Sequence, residues 1–453
     1  MSMLERIARY NQSTRSRLEI PRLHIKPKPA RISDDGEDRS QFSRRRDIMN
    51  QILSPTISQL GHDGAGSAPF SGSPTRVQST ESLVLNEPDG LGWDRATLLE
   101  LSDSIRASLR HDKTPGPAHK DLGSFLEAAL RDEEQRRRPT LNFETIEFAR
   151  LDKLLSELLY FAETLKAATS PSSANLAITM VEGLPLEFRL DLSNAKNLRR
   201  AWRRRFREQY FMMDQHRCAL LVQGGRLKDV SFNNALAYDL GKWHTKVNDP
   251  ISELEGNLQF EAGHWWLNIT CAERDGIVAS SFEKPTKGRY GITALPLLTG
   301  QEEMIHPNVY KYIREGRAGD MHIALISQVG RQIRILRGYR LKSILAPLAG
   351  VRYDGLFTIK QYGCKLDNKT KVYRLELTLE HVPGQKKSLE EIKLVPRPSQ
   401  LDDWNLYEKL EGDKIKLLQG DSRYLEWKLR RQEEKINRED WRRARLFRAS
   451  IWE

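Results

Sequence analysis

Residues 330–363 read GRQIRILRGYRLKSILAPLAGVRYDGLFTIKQYG. In 332–336, β-branched and apolar residues alternate with polar ones, the pattern of a half-buried strand. Arg337-Gly338 ends it. Ala346-Pro347 and Gly350 predict a rigid turn, because proline fixes its own φ and biases the residue before it toward extended geometry. Asp354-Gly355 is a turn signal, and 356–362 alternates again as a second strand. Local physics alone thus gives two strands joined by an ordered loop.

Working outward, Tyr373, Leu375, Leu377 and Leu379 alternate with Arg374, Glu376, Thr378 and Glu380, which predicts a further strand with one buried face. Upstream, 93–110 and 122–138 are weakly helical, and 143–167 carries a wide apolar stripe at helical spacing. A helix is expected over 191–210, capped by Asp191 or Ser193. Leu198, Trp202 and Phe206 share one face of it, while Lys196, Arg199, Arg200, Arg203, Arg204, Arg205 and Arg207 fan outward. Such a face is either a phosphate-contacting or nuclear-import element, or simply solvated. Residues 401–453 read as charged helices in which Trp404, Leu406, Tyr407 and Leu410 can pack on the strands.

The ordered set Ala346-Pro347-x-x-Gly350-x-Arg352-Tyr353-Asp354-Gly355-Leu356-Phe357 resembles the signature of the SRA-YDG (SET- and RING-associated) domain family, and 333–338 is similar to the strand that leads into it. Gly263-His264-Trp265-Trp266, the Cys271-to-Ile277 turn, the strand from Gly288 to Leu295 and the closing Pro383-Gly384-Gln385 are also similar to the family. The resemblance covers 256–398. It implies an α+β chain built on a PUA-like β-barrel with flanking helices. The domain plan is then a disordered Ser/Pro-rich basic tail (1–92), a mainly helical region (93–255), the SRA-YDG-like domain (256–398) and charged C-terminal helices (399–453). The chain departs from the family after Glu303, where 306–330 reads as one or two helices in place of a Tyr-Thr-Gly loop.

The resemblance also implies a nuclear partner, double-stranded DNA, methylated DNA included, and extrusion of a 5-methylcytosine into a pocket. That chemistry asks for an aromatic to stack the base and a carboxylate to accept from its amino group. The family's stacking tyrosine falls on Gln301, and the acid falls on Glu303 or, by a slip, Glu302. Tyr353 and Asp354 are architectural members of the pocket wall. Backbone contact is assigned to Arg331, Arg334, Arg337, Arg340 and Arg352. The alternative is a chromatin-associated scaffold whose barrel no longer reads a base and binds other chromatin proteins.

Composition narrows the classes further. A hydrophobic share of 39%, with 30% charged residues, is lean for a chain folded throughout. The formal charge of +12 favours an anionic partner. Cys218, Cys271 and Cys364 lie far apart, so neither a zinc site nor a disulfide framework is expected. No RING or SET pattern, phosphate loop or catalytic constellation stands out; no enzyme and no cofactor are expected. No apolar run is long enough to span a membrane and the start lacks a signal-peptide core, so an intracellular chain is expected.

Overall fold

Residues 330–363 form the middle of an eight-stranded sheet. The computed structural model describes residues 93–111, 116–136, 138–167, 186–233, 242–246, 260–288 and 291–451, all within one compact unit, Val84–Glu453. The expected N-terminal tail and the module's expected beginning near Gly256 lie outside the described residues.

Among the described residues six helices come first: α1 (Arg95–His111), α2 (His119–Gln135), α3 (Phe143–Phe148), α4 (Leu151–Ala167), α5 (Leu186–Phe206) and α6 (Glu208–Gln223). Their apolar faces share one core, with Leu98, Ile105, Phe125, Leu155, Leu198 and Trp202 at its centre. The expected helix over 143–167 is two, because Arg150 takes a positive φ of 56° between α3 and α4. Arg207, at φ 49°, likewise separates α5 from α6. Asp191 does not cap α5. It lies inside the helix and is buried.

A two-stranded ribbon follows, β1 (Val230–Asn233) and β2 (Lys242–Thr245). After β3 (Trp265–Trp266) and a short helix α7 (Ile269–Arg274) come β4 (Thr286–Gly288), β5 (Gly291–Leu297), β6 (Gln301–His306), β7 (Val309–Gly316), β8 (Gln332–Gly338), β9 (Val351–Leu366) and β10 (Tyr373–His381). A helical turn α8 (Leu389–Lys393) leads to two long helices, α9 (Pro398–Gln419) and α10 (Asp421–Ile451). The sheet order is β4-β5-β8-β9-β10-β7-β6, with β3 attached to β9. Among the described strands only β5 and β8 pair in parallel.

Three expectations need correction. The sheet is not closed into a barrel: β4 and β6 remain edges. The nearest approach to closure is a single bridge from Gln301 to Lys342 in the loop after β8, where the Glu302 N–H donates to the Lys342 carbonyl at 2.9 Å. Second, 309–316 is a strand, not a helix. Tyr310 and Tyr312 point inward from it, and Asn308 at φ 63° turns the hairpin. Third, Asp354-Gly355 is no chain reversal but a bulge within continuous β9. Leu336 pairs with Tyr353 while Arg334 pairs with Leu356, so one extra residue sits on β9. Gly355, at φ 94°, takes the conformation a bulge requires, and a Cβ there would lie 2.3 Å from Gln385 Oε1.

One face of the sheet buries Ile333, Ile335, Phe357, Leu375, Leu377 and Leu379. The other packs Leu336, Val351 and Tyr353 with Trp265 and Trp266 against Trp404 and Tyr407 of α9. The C-terminal aromatics thus pack on the strands as expected.

Candidate nucleic-acid interface

The signature residues build a buried charge network. Arg337 donates through Nε and Nη2 to both Glu302 oxygens, at 2.9 and 2.7 Å, and through Nη1 to Asp354 at 2.8 Å. Arg352 donates to Asp354 at 2.5 and 2.9 Å and to the carbonyls of Leu345 and Val395. Ser343 Oγ donates to Glu302 at 2.6 Å. All four charged side chains are at most 1% exposed, and their formal charges cancel. The Arg337 guanidinium also lies over the rings of Phe357 (4.8 Å) and Tyr310 (5.6 Å). Burial works against its charge, but Glu302 and Asp354 overcome that and hold it protonated.

The backbone around the network explains the spacing of the signature. Trp265 Nε1 donates to the Ala349 carbonyl at 2.6 Å. A Cβ at Gly350, φ 68°, would stand 2.2 Å from the Trp266 carbonyl. Gly350 therefore lets the Ala-Pro loop lie against the tryptophan strand. Tyr353 sits beneath it in the apolar core, and burial pushes its hydroxyl up to about 12.

The structure divides the expected site residues. Glu302, Asp354, Arg337 and Arg352 meet in the network. Arg334 is buried as well, so Arg334, Arg337 and Arg352 are not surface groups for a DNA backbone, and that assignment is corrected. From Ile333 to Gly338 β8 is buried on both faces, and Arg352 lies in the buried first part of β9. Tyr353 is core. Arg331 is exposed ahead of β8. Gln301 and Arg340 remain at the surface, at a cleft of about 420 Å³ lined also by Arg314, Glu315 and Lys342. Arg340 pairs with Glu434 at 2.6 Å, Arg314 pairs with Glu283 at 3.4 Å, and Lys342 is exposed.

Sequence reasoning missed the role of α10. Arg431 pairs with Glu411 at 2.7 Å, Arg438 donates to the Tyr339 carbonyl at 2.9 Å, and Arg442 donates to the Ala346 carbonyl at 2.7 Å. Arg445 pairs with Glu303. The helix thus straps the loop after β8 and engages the one expected base-reading acid that is not buried. The signal lay in the spacing of these arginines, 7, 4 and 3 residues, which is that of a packing stripe. A search for apolar stripes passes over it.

No protein-family model matches the chain, and no curated protein is similar to it. Among solved structures, the chain resembles Arabidopsis thaliana SUVH6 in complex with SAM, at 16% identity and a TM-score of 0.26 over 32% of this chain and 30% of that one. It also resembles the SUVH5 SRA domain in complex with fully methylated CG DNA, at 18% identity and a TM-score of 0.23, over 29% of this chain and 95% of that one. The SUVH5 SRA domain with hemimethylated CG DNA gives 16%, 0.22, 29% and 94%. The likeness is to SRA domains, and at these scores it is coarse. The chain spans less than a third of SUVH6. Fold and site together define a mixed α+β chain whose open sheet encloses a neutral Arg–carboxylate network.

Proposed function

We propose that this chain is a nuclear DNA-binding protein that grips the phosphate backbone at the cleft beside Gln301 and reads no flipped base. It acts by binding, not catalysis. The observation that supports this reading is the fate of the carboxylates. Glu302 and Asp354 are consumed by buried arginines, and Glu303 is held by Arg445. A flipped cytosine needs an acceptor for its amino group, and each candidate already has a cation. In the cleft, Lys342 is the exposed cation offered to a phosphate, beside Arg314 and Arg340 in their ion pairs with Glu283 and Glu434.

The test is a titration of the full chain with unmodified, hemimethylated and fully methylated duplexes over a range of salt. All three should bind alike, with affinity falling by about 0.9 log unit per phosphate contact for each tenfold rise in salt. Lys342→Ala should lower that slope by about one contact. A methyl preference of about tenfold or more that Glu303→Gln removes would sink the reading.

The scaffold reading has its own observation. Leu425, Leu429 and Ile436 on α10 are 55%, 61% and 49% exposed, at the spacing of one helix face. Retention of a protein partner after nuclease treatment, lost on Leu429→Lys, supports that alternative.

A further inference from the structure

Helix α5 carries a run of positive charge, Lys196, Arg199, Arg200, Arg203, Arg204 and Arg205, within ten residues. Its buried face carries Phe188, Ala195, Leu198 and Trp202 into the helical core. On another face, Arg189, Lys196, Arg200 and Arg203 stand 7, 4 and 3 residues apart, with Arg199 beside them. Together with Glu163 of α4, these five cations line a groove of about 530 Å³. Elsewhere among the described residues arginines are mostly neutralised: Arg205 of the same helix pairs with Glu133 at 2.9 Å, and Arg106, Arg217 and Arg337 all lie on carboxylates. Among the described residues, no carboxylate lies within ion-pair distance of the five groove cations.

A second, apolar feature adjoins the groove. Phe211, at the start of α6, is 70% exposed. The Arg203 guanidinium lies 5.6 Å from its ring centroid and 5.9 Å from that of Tyr210. A cationic groove that ends on an exposed aromatic ring is the arrangement that holds unpaired nucleotides: phosphates follow the cations and a base stacks on the ring. Duplex DNA keeps its bases stacked inside and has no use for Phe211. A phospholipid headgroup or a free polyphosphate would use the cations and leave the ring idle.

We infer that the α4–α5 groove, with Phe211 at its end, is a binding site for single-stranded nucleic acid, separate from the cleft beside Gln301. Helix α5 has 21 residues, about 30 Å of axis, which several successive nucleotides can follow.

The experiment uses the full chain and four probes: a fluorescent oligothymidylate about 20 nucleotides long, a duplex of equal length, inorganic polyphosphate, and vesicles containing phosphatidylserine. The oligothymidylate should bind with log affinity falling by about 0.7 per contact against log salt, and Lys196→Ala with Arg200→Ala should lower that slope by about 1.4. Phe211→Ala, at a side chain too exposed to matter to folding, should weaken the oligothymidylate about fivefold or more and leave polyphosphate unchanged. Lys342→Ala should leave oligothymidylate binding intact, which separates this site from the cleft. The inference is overturned if Phe211→Ala has no effect on the oligonucleotide, if polyphosphate binds as tightly as the oligonucleotide, or if vesicles bind and the oligonucleotide does not.

Discussion

Arg337 and Arg340 stand three residues apart and look alike in the sequence, yet one is wholly buried and the other half exposed. What separates them is the company supplied by distant positions. Glu302 and Asp354 reach Arg337 from 35 and 17 residues away. No local pattern announces that, so the sequence reading spent Arg337 on phosphate contact. The two roles predict opposite behaviour. Arg337→Met leaves two buried carboxylates short of a cation, and a broken buried pair costs about 3–5 kcal/mol. We expect a large fall in the urea midpoint, whereas a phosphate-contacting arginine would leave stability unchanged and alter only the salt slope of binding. Gly350 and Gly355 were legible as turn formers. Their real constraint, the approach of the Trp266 carbonyl and of Gln385, needed the tertiary structure.

At the level of elements, strands with an alternating sequence were readable: β8, the part of β9 from Leu356 on and β10 lie where periodicity put them, although β8 is buried on both faces and not half-buried. Strand β7 was not, because His306-Pro307-Asn308 looks like a helix approach when its pairing partners on β6 and β10 are unknown. Asp191 was misread for a related reason, since an acid near a helix start usually caps. Here it faces Gly123 across the α2–α5 contact, and burial lifts its carboxyl to about 6, with His119 opposing and Glu187 assisting. The folded state thus keeps a proton that the unfolded chain releases between about pH 4 and 6. Its contribution is fully present below that window and lost as pH rises through 6. Asp191→Asn should therefore raise the melting temperature relative to the parent at pH 7.5, and the gain should shrink at pH 4.5. An equal gain at both values would show that the carboxyl is not shifted.

At the scale of the whole molecule, α10 packs Tyr424 and Trp427 on the core at its start and is held beyond them by arginine bonds to loop carbonyls and acids, not by a leucine seam. Removing Arg438 and Arg442 together, as alanines, should speed amide exchange across 421–451 while the sheet stays protected, because the loop carbonyls they satisfy lie at the surface of the core. Unchanged exchange in that helix would refute the strap. A second long-range tie lies deeper. Arg106 of α1 is fully buried between Glu157 of α4 and Asp402 of α9, bonding the latter at 2.8 and 2.9 Å, and Ser399 donates twice to Asp103 beside it. Arg106 and Asp402 are 296 residues apart in the chain. At about 5–20 residues per second of synthesis, roughly 15–60 s separate their emergence from the ribosome. During that interval the helical bundle has its apolar residues in hand but presents an incompletely paired guanidinium where α9 will dock. A nascent chain halted before residue 402 therefore carries a bundle with an open charged seam, a ready target for chaperones and proteases that the finished protein conceals.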